Sequence, residues 1–398
     1  MIELIDIGGP AMLRAAAKNY SHVAVLHHPD QYRTFLETWK RNHYSLPLEF
    51  SLQLAADTFF YTSYYDAQIN RFFDSLASQT ELPARFAHFH QKYQELRYGE
   101  NPHQSAAFYL PVDQFRKNMP IIEQLWGKEM SYNNYLDVTA AAAVVSQFAE
   151  PAVTIVKHTN PCGAAIDSQL VAAFDKALAG DPLSAFGGIV AANQKIDLQI
   201  AEHIQQTFFE CVLAPDFSIE ALNFLKNKKN LRVLKSSILF KKNEGWDFRH
   251  LPAGMLVQKP DLLSYEENKL RSVGARDPSP AEKRDLLFAW KIVQQVKSNA
   301  IVFAKDLTIV GVGAGQMSRV DSVKIACRKA KENGHNLQGA VMASDAFFPF
   351  RDGLDEAAAA GITAVIQPGG SMRDQEVIEA ARQHQMSMLL TGIRHFKH

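Results

Sequence analysis

The chain is poor in cysteine: Cys162, Cys211 and Cys327 are three in 398 residues, far apart and in no paired framework. That spacing excludes a disulfide scaffold and points to a reducing compartment. Neither sign of charge is in excess, because 42 Lys and Arg balance 42 Asp and Glu. Without a global positive field, nucleic acid is not an expected partner, and any anionic ligand must be held by a local cluster. No apolar run reaches the roughly 18 residues of a membrane span, so no membrane partner is expected. The opening MIELIDIGGPAMLRAAAKN lacks the charged-then-apolar layout of a signal peptide, which makes the cytoplasm the expected location. Several chemical motifs are missing too. There is no Walker loop, no HExxH pair and no nucleophile elbow. In GVGAGQ, Gln316 stands where a dinucleotide fingerprint needs its third glycine, so this segment reads as a structural or substrate-facing loop. His158 and Cys162 lie close together, but Gly163-Ala164-Ala165 follows where a zinc deaminase site needs a second cysteine. No zinc and no other metal ligand set is expected.

What is present is the composition of a globular protein, 47% apolar and 21% charged, long enough for two or three domains. At the start, IDIGGP reads as a short strand, AMLRAAAKN as a helix with Lys18 near its end, and HVAVLHHP as a second strand. Residues 48 to 94 have helical spacing and many aromatics. From Leu96 onward the text alternates strand and helix. PAVTIVKHTNPCGAA is a β-rich run broken by Asn-Pro and Gly, and LVAAFDKALAG is a helix closed by Gly180. AIVFAKDLTIVGVG reads as two strands joined by a tight Lys305-Asp306 turn. The pattern is α/β, and two similar halves suggest an internal duplication.

Four polar or aromatic clusters are candidates for function. Lys157-His158-Thr159-Asn160-Pro161 ends an apolar strand and opens a loop, where α/β proteins place chemistry. Arg97 to Gln104, RYGENPHQ, is a polar, turn-forming run with little reason to pack. Ser344 to Asp352 sets Phe347, Phe348 and Phe350 around Pro349, which suits a flat ligand. The C-terminal TGIRHFKH is basic.

Taken together, RYGENPHQ, VKHTNPCGAA, DPLSAFGGIVA, GAGQMSRVDS, ASDAFFPFRDGLDEAAAAGITAVIQPGGSMRDQEVIEAA and TGIRHFKH resemble the bifunctional purine enzymes that couple AICAR transformylase to IMP cyclohydrolase. The resemblance implies an α/β fold with two cytidine-deaminase-like α/β subdomains, without zinc, forming the transformylase after a partial cyclohydrolase α/β domain. It divides the chain into a cyclohydrolase remnant over residues 1–75, a connector over 76–95, and transformylase subdomains over 96–265 and 266–398. The implied reaction moves a formyl group from the co-substrate 10-formyltetrahydrofolate to the amine of AICAR, in a homodimer with shared sites. A monovalent cation near the site is left open.

The resemblance also implies roles. Lys157, His158 and Asn299 match catalytic positions, while Arg97, Tyr98, Asn134 and Arg394 match contacts to the ribotide. Arg319, Val320, Phe347, Pro349, Phe350 and Asp352 match the folate pocket. Asp6 and Lys18 match two ring-closure residues whose upstream partners have no counterpart here, so the chain is expected to enter the cyclohydrolase domain midway and to close the ring weakly or not at all. The alternative is a non-catalytic remnant that only dimerises.

Overall fold

The computed structural model describes residues 2–77, 80–116, 121–237, 239–241 and 245–398. They separate into two units, one of residues 1–92 with 109–117 and one of 93–108 with 118–398. The first carries helices α1 (Gly8–Lys18), α2 (Gln31–Arg41) and α3 (Leu48–Ala77). The chain then runs along β1 (His90–Leu96), β2 (Ala106–Pro111) and α4 (Val112–Arg116). The two strands expected near the start are not formed. Ile2–Leu4 is a single 3₁₀ turn leading into α1 at Gly8, and HVAVLHHP pairs with no strand among the described residues. An extended segment without a ladder partner has nowhere to place its backbone hydrogen bonds. Of the helical stretch expected over residues 48–94, α3 accounts for Leu48–Ala77, whereas His90 onward forms the strand β1.

The second unit contains the same sequence of elements twice. The first pass runs β3 (Glu123–Trp126), α5 (Tyr132–Val145), β4 (Ala152–Lys157), β5 (Asn160–Ile166), α6 (Leu170–Gly180), a short α7 (Pro182–Ala185), β6 (Ile189–Ala192), α8 (Leu198–Gln205), β7 (Cys211–Ala214), α9 (Ile219–Leu225) and β8 (Arg232–Lys235). A hairpin of β9 (Asp247–Leu251) and β10 (Gly254–Gln258) follows. The second pass runs β11 (Arg271–Ser272), α10 (Pro280–Val293), β12 (Ile301–Lys305), β13 (Thr308–Gly313), α11 (Arg319–Glu332), β14 (Val341–Ser344), α12 (Asp352–Ala360), β15 (Ala364–Gln367), α13 (Asp374–Gln383) and β16 (Ser387–Leu390).

All of these strands but β9 and β10 join one 12-stranded sheet in the order β11-β16-β15-β14-β12-β13-β5-β4-β6-β7-β8-β3. Read outward from the middle, each half repeats the other, including the antiparallel hairpin and two parallel pairs. Even the irregularity repeats: the β4–β5 register slips between Ile155 and Val156, and the β12–β13 register between Phe303 and Ala304. The duplication suggested by the sequence is therefore built into the sheet.

The strands β6, β7, β14, β15 and β16 are buried along their whole length, so they carry continuous apolar runs instead of alternation. On one face, α5 and α10 share a single core through both halves, with Val138, Ala142, Leu286 and Trp290 over Val156, Ile189, Val302 and Ile366. On the other, α6, α8 and α9 cover one half and α11, α12 and α13 the other. Each fully buried Val, Leu, Ile or Phe in these layers contributes roughly 1.5–3 kcal/mol. No helix among the described residues is long and apolar enough to cross a membrane.

Glycine sets the helix-to-sheet distance at equivalent points. A Cβ on Gly163 of β5 would meet the Ala177 carbonyl oxygen of α6 at 1.9 Å, and one on Gly311 of β13 would meet that of Ala326 in α11 at 2.6 Å. The segment read from sequence as a Gly-rich loop is thus partly strand: Gly311 and Gly313 lie within β13, and Gly315, at φ +68°, belongs to the turn after it. We expect Gly163→Ala to lower stability by about 3 kcal/mol or more, because backbone lies on both sides of the clash. Urea unfolding followed by circular dichroism measures the loss, and an unchanged midpoint would contradict the packing described.

Candidate active site

Strand direction decides which loops meet. β5 and β13 run antiparallel at the centre of the sheet, so the start of β5 lies beside the end of β13. The β4–β5 turn, the segment before β12 and the loops following β13, β14, β15 and β16 therefore all emerge at one end of the sheet. Lys157, His158, Asn299, Arg319, Val320, Phe347, Pro349, Phe350, Asp352 and Arg394 all sit there.

The turn carrying His158 is strained and held. His158 and Thr159 have φ of +52° and +61°, the left-handed region that non-glycine residues enter at a cost of roughly 1–2 kcal/mol each. A two-residue hairpin of this hand needs both centres there. Asp137, one turn into α5, compensates: its carboxylate accepts the His158 N–H at 3.2 Å and the Thr159 N–H at 2.6 Å. Helix α5 is itself fixed by a capping box between Ser131 and Asn134. The second half uses the same parts. Asp306 and Leu307 have φ of +51° and +56°, and Asp285 of α10 accepts both of their N–H groups at 2.9 and 2.8 Å, behind a Ser279–Glu282 capping box. Burial holds the Asp285 carboxyl above the ordinary carboxylate range.

Neither aspartate was singled out by sequence reasoning. The available signal was repetition: Ser131, Asp137, Lys157 and Gly163 recur at one interval as Ser279, Asp285, Lys305 and Gly311.

Across the centre of the sheet, Asn160 Oδ1 accepts the Lys297 N–H at 2.9 Å, joining the turn to a segment 137 residues away in sequence. Two residues on, Asn299 is fixed from every side. Its Nδ2 donates to the Gln316 carbonyl at 2.9 Å, and its Oδ1 accepts from Arg319 at 2.8 Å. Arg319 is buried, and its Nη1 donates to Ser344 Oγ at 2.9 Å and to the buried carboxylate of Asp345. Asp345 Oδ2 accepts from Ser298 Oγ at 2.5 Å, and its carbonyl takes the His395 N–H at 2.9 Å. This ties the C-terminal segment into the same network. Lys397 adds a group that sequence reasoning missed. Its backbone bonds both ways with Ser298, its Nζ donates to Gln295 at 2.9 Å, and burial followed by the charge of Lys297 brings the ammonium down to about 8.

The remaining candidates differ in how freely they face solvent. His158 is exposed; Lys157 is half-buried with Nζ donating to the Phe186 carbonyl at 2.9 Å. Of the three clustered aromatics, Phe348 belongs to the core, Phe347 is half-buried, and Phe350 is 48% exposed with the Arg373 guanidinium 4.6 Å from its ring centroid. Pro349 and Asp352 are exposed, and Val320 is half-buried. Arg394 is exposed and stacks 4.3 Å over Phe396. Arg97 lies over Tyr98 at 5.6 Å, in a turn closed by the Gly99 N–H to Gln104 carbonyl bond, and Asn133 Nδ2 reaches the Glu100 carbonyl at 3.3 Å. That last bond sets the RYGENPHQ turn beside the start of α5 and hence beside Asn134. Cys162 faces the apolar layer under α6, where burial pushes its thiol up to about 12; it is no nucleophile at neutral pH. Among the described residues no group of three or more His, Cys, Asp or Glu is placed to hold a metal ion. Asp6 and Lys18 lie in the other unit. Asp6 Oδ1 accepts the Gly9 N–H at 2.9 Å at the start of α1, and Lys18 is exposed.

Comparison with known proteins places these residues in a wider set. Residues 16–329 match the AICARFT/IMPCHase bienzyme family. The bifunctional purine biosynthesis protein PurH of Acidithiobacillus ferrooxidans is 48% identical over 401 residues, covering all of this chain and 77% of that protein. The PurH proteins of Xylella fastidiosa and Persephonella marina are each 47% identical, again over the whole chain and 77% of their own length.

The paired aspartates supply an internal control. Asp137→Asn and Asp285→Asn should each cost about 1–3 kcal/mol, since an amide cannot accept both N–H groups as the carboxylate does. Only Asp137→Asn should also slow turnover, because its turn carries His158. Equal losses of activity in the two variants, measured at matched folded fraction, would contradict that assignment.

Proposed function

This chain belongs to the AICARFT/IMPCHase bienzyme family of purine biosynthesis, and from that premise we propose that it transfers formyl from 10-formyltetrahydrofolate to the amine of AICAR. The observation that carries the reading is the Asn160–Lys297 bond, which brings the Lys157–His158 turn of one half beside the Asn299 segment of the other.

The chemistry asks for those groups. The amine of AICAR is a weak nucleophile, its lone pair being delocalised into the ring and carboxamide, so the reaction leans on orientation and proton handling. Attack on the formyl carbon forms the new C–N bond and a tetrahedral oxyanion; collapse breaks the bond to N10 of the folate. One proton leaves the amine and one reaches N10, so the folate departs as tetrahydrofolate. His158, an imidazole exposed at the turn tip, is suited to take the amine proton. Lys157 is suited to the oxyanion or to N10, with two ammonium donors left after its bond to the Phe186 carbonyl. Asn299 is a neutral amide at the same centre, whose orientation Arg319 and the Gln316 and Met317 carbonyls impose.

Around that centre we assign Arg97 and Arg394 to the ribotide phosphate, whose oxygens a planar guanidinium fork matches, with Tyr98 and Asn134 at the base. Phe347, Pro349, Phe350, Val320 and Asp352 border the folate, the two rings offering flat apolar faces. Residues 96–265 and 266–398 then act as the two transformylase subdomains, in a cytosolic homodimer. Ring closure by this chain is assigned as weak or absent, since the Asp6 carboxylate serves as a helix-start acceptor.

Steady-state assay of the purified chain with AICAR and 10-formyltetrahydrofolate, quantifying formylated ribotide and IMP, tests this directly. Formylated product without IMP above the spontaneous rate is expected, and His158→Ala should lower kcat by roughly 10²–10⁴-fold. IMP well above the spontaneous rate would overturn the ring-closure assignment. Full activity in His158→Ala would overturn the mechanism, and no product from the folded chain would favour a remnant that only dimerises.

A further inference from the structure

Pro161 lacks an N–H, and the central β5–β13 pair is bridged only at Thr308 and Ala165, with the Ile166 N–H reaching the Leu307 carbonyl. Toward the active end these strands leave a cavity of about 220 Å³ between α6–α7 on one side and α11 on the other. Its lining includes Lys157 and His158 together with a group of three side chains: Asp181, Ser184 and Lys329. Its titratable groups are these two lysines, His158, Cys162 and Asp181.

Those three side chains form a connected unit. Asp181 precedes the four-residue helix α7 and accepts the Ser184 N–H at 3.0 Å and its hydroxyl at 2.7 Å. Lys329, reaching over from α11 in the second half, donates to Asp181 Oδ2 at 3.0 Å and to Ser184 Oγ at 3.1 Å. Burial raises the Asp181 carboxyl, but the bonds from Ser184 and Lys329 outweigh it and leave the group below its ordinary range. Asn333 Nδ2 and His335 Nε2, also from the second half, meet the Gly180 carbonyl at 3.3 and 3.0 Å. A helix of four residues is too short to hold itself, so its orientation depends on these bonds. The residue that ends it is Phe186, whose carbonyl receives Lys157 Nζ.

We propose that Lys329 is a positioning residue for formyl transfer: by clamping the Asp181–Ser184 turn from the opposite half, it fixes the Phe186 carbonyl and so aims the Lys157 ammonium. Lys329 touches no reacting atom. It makes the second half responsible for the placement of a side chain belonging to the first. The second-half counterpart of Lys157, Lys305, bonds the Gln338 carbonyl at 2.8 Å inside its own half and serves as a built-in reference. The inference rests on the formyl-transfer reading for its kinetic consequence, but not for its structural one.

Two readouts on the full chain separate these. In Lys329→Met, kcat should fall roughly 10- to 100-fold, the scale of a misplaced catalytic group, with both KM values within about twofold. Lys329→Arg, which can reach the same two oxygens, should recover most of the rate. In parallel, brief acetylation with an N-hydroxysuccinimide ester, read by peptide mass spectrometry, should modify Lys157 severalfold faster in Lys329→Met than in wild type, with Lys305 unchanged. If Lys329→Met does not fold, Ser184→Ala removes one clamp acceptor and should move both readouts in the same direction. Wild-type kcat in folded Lys329→Met or Ser184→Ala, failure of Lys329→Arg to recover rate, or unchanged Lys157 labelling would each overturn the proposal. Faster Lys157 labelling in Lys329→Met, found together with a wild-type chain that transfers no formyl group, would keep the clamp and refute the functional reading.

Discussion

Two backbone N–H groups at the tip of a two-residue hairpin have no strand partner, and a carboxylate from the facing helix takes both. Everything at the active end of the sheet depends on that capture. Without Asp137, His158 and Thr159 would sit in the left-handed region with their amides unsatisfied, and the hairpin would have little reason to keep its hand. With it, the turn is rigid enough for Asn160 to reach the Lys297 N–H across the centre of the sheet. From there the network continues through Asn299 and Arg319 to Asp345 and back to the C-terminal segment.

The duplication explains why such a device is present twice. Both halves place a serine cap, an aspartate six residues later, a lysine-ended strand and a close-packed glycine in the same order. At the turn itself they diverge: the first half has His158 and Thr159, and the second has Asp306 and Leu307 held by the buried Asp285. The second half contributes differently, through the segment before β12, where Asn299 is held, and through α11, whose Lys329 crosses to the first half. Antiparallel contact between β5 and β13 is what allows a turn from one half and strand starts from the other to share an end.

How much of this could be read from the residues depends on the range of the interaction. Fully buried strands such as Ile189–Ala192 and Val341–Ser344 announce themselves as apolar runs, and the helices after them by their spacing. A tight turn was legible because a short polar pair interrupts two β-rich runs, but it falls on Asp306-Leu307, one residue past the expected Lys305-Asp306, since Lys305 still pairs with Thr308. Strand-like text at IDIGGP and HVAVLHHP misled, because apolar spacing does not say whether a ladder partner exists. GVGAGQ misled differently: its first two glycines serve helix approach within a strand, and composition alone cannot separate that use from a loop. The pairs Asn160–Lys297 and Asp181–Lys329 leave no periodic trace, since each joins segments far apart in sequence. Asp137 was the exception that could have been found, from the repeat with Asp285.

The central claim is that residues from both halves of the duplicated sheet act on one bound substrate pair. A crystal structure of the chain with AICAR and a non-transferable folate analogue tests it most directly. The account predicts both ligands at the end of the sheet where β4 meets β5, with the ribotide amine within hydrogen-bonding reach of His158 and Asn299 at the same centre. Ligands bound elsewhere, or touching the Lys157–His158 turn with Asn299 remote, would contradict it.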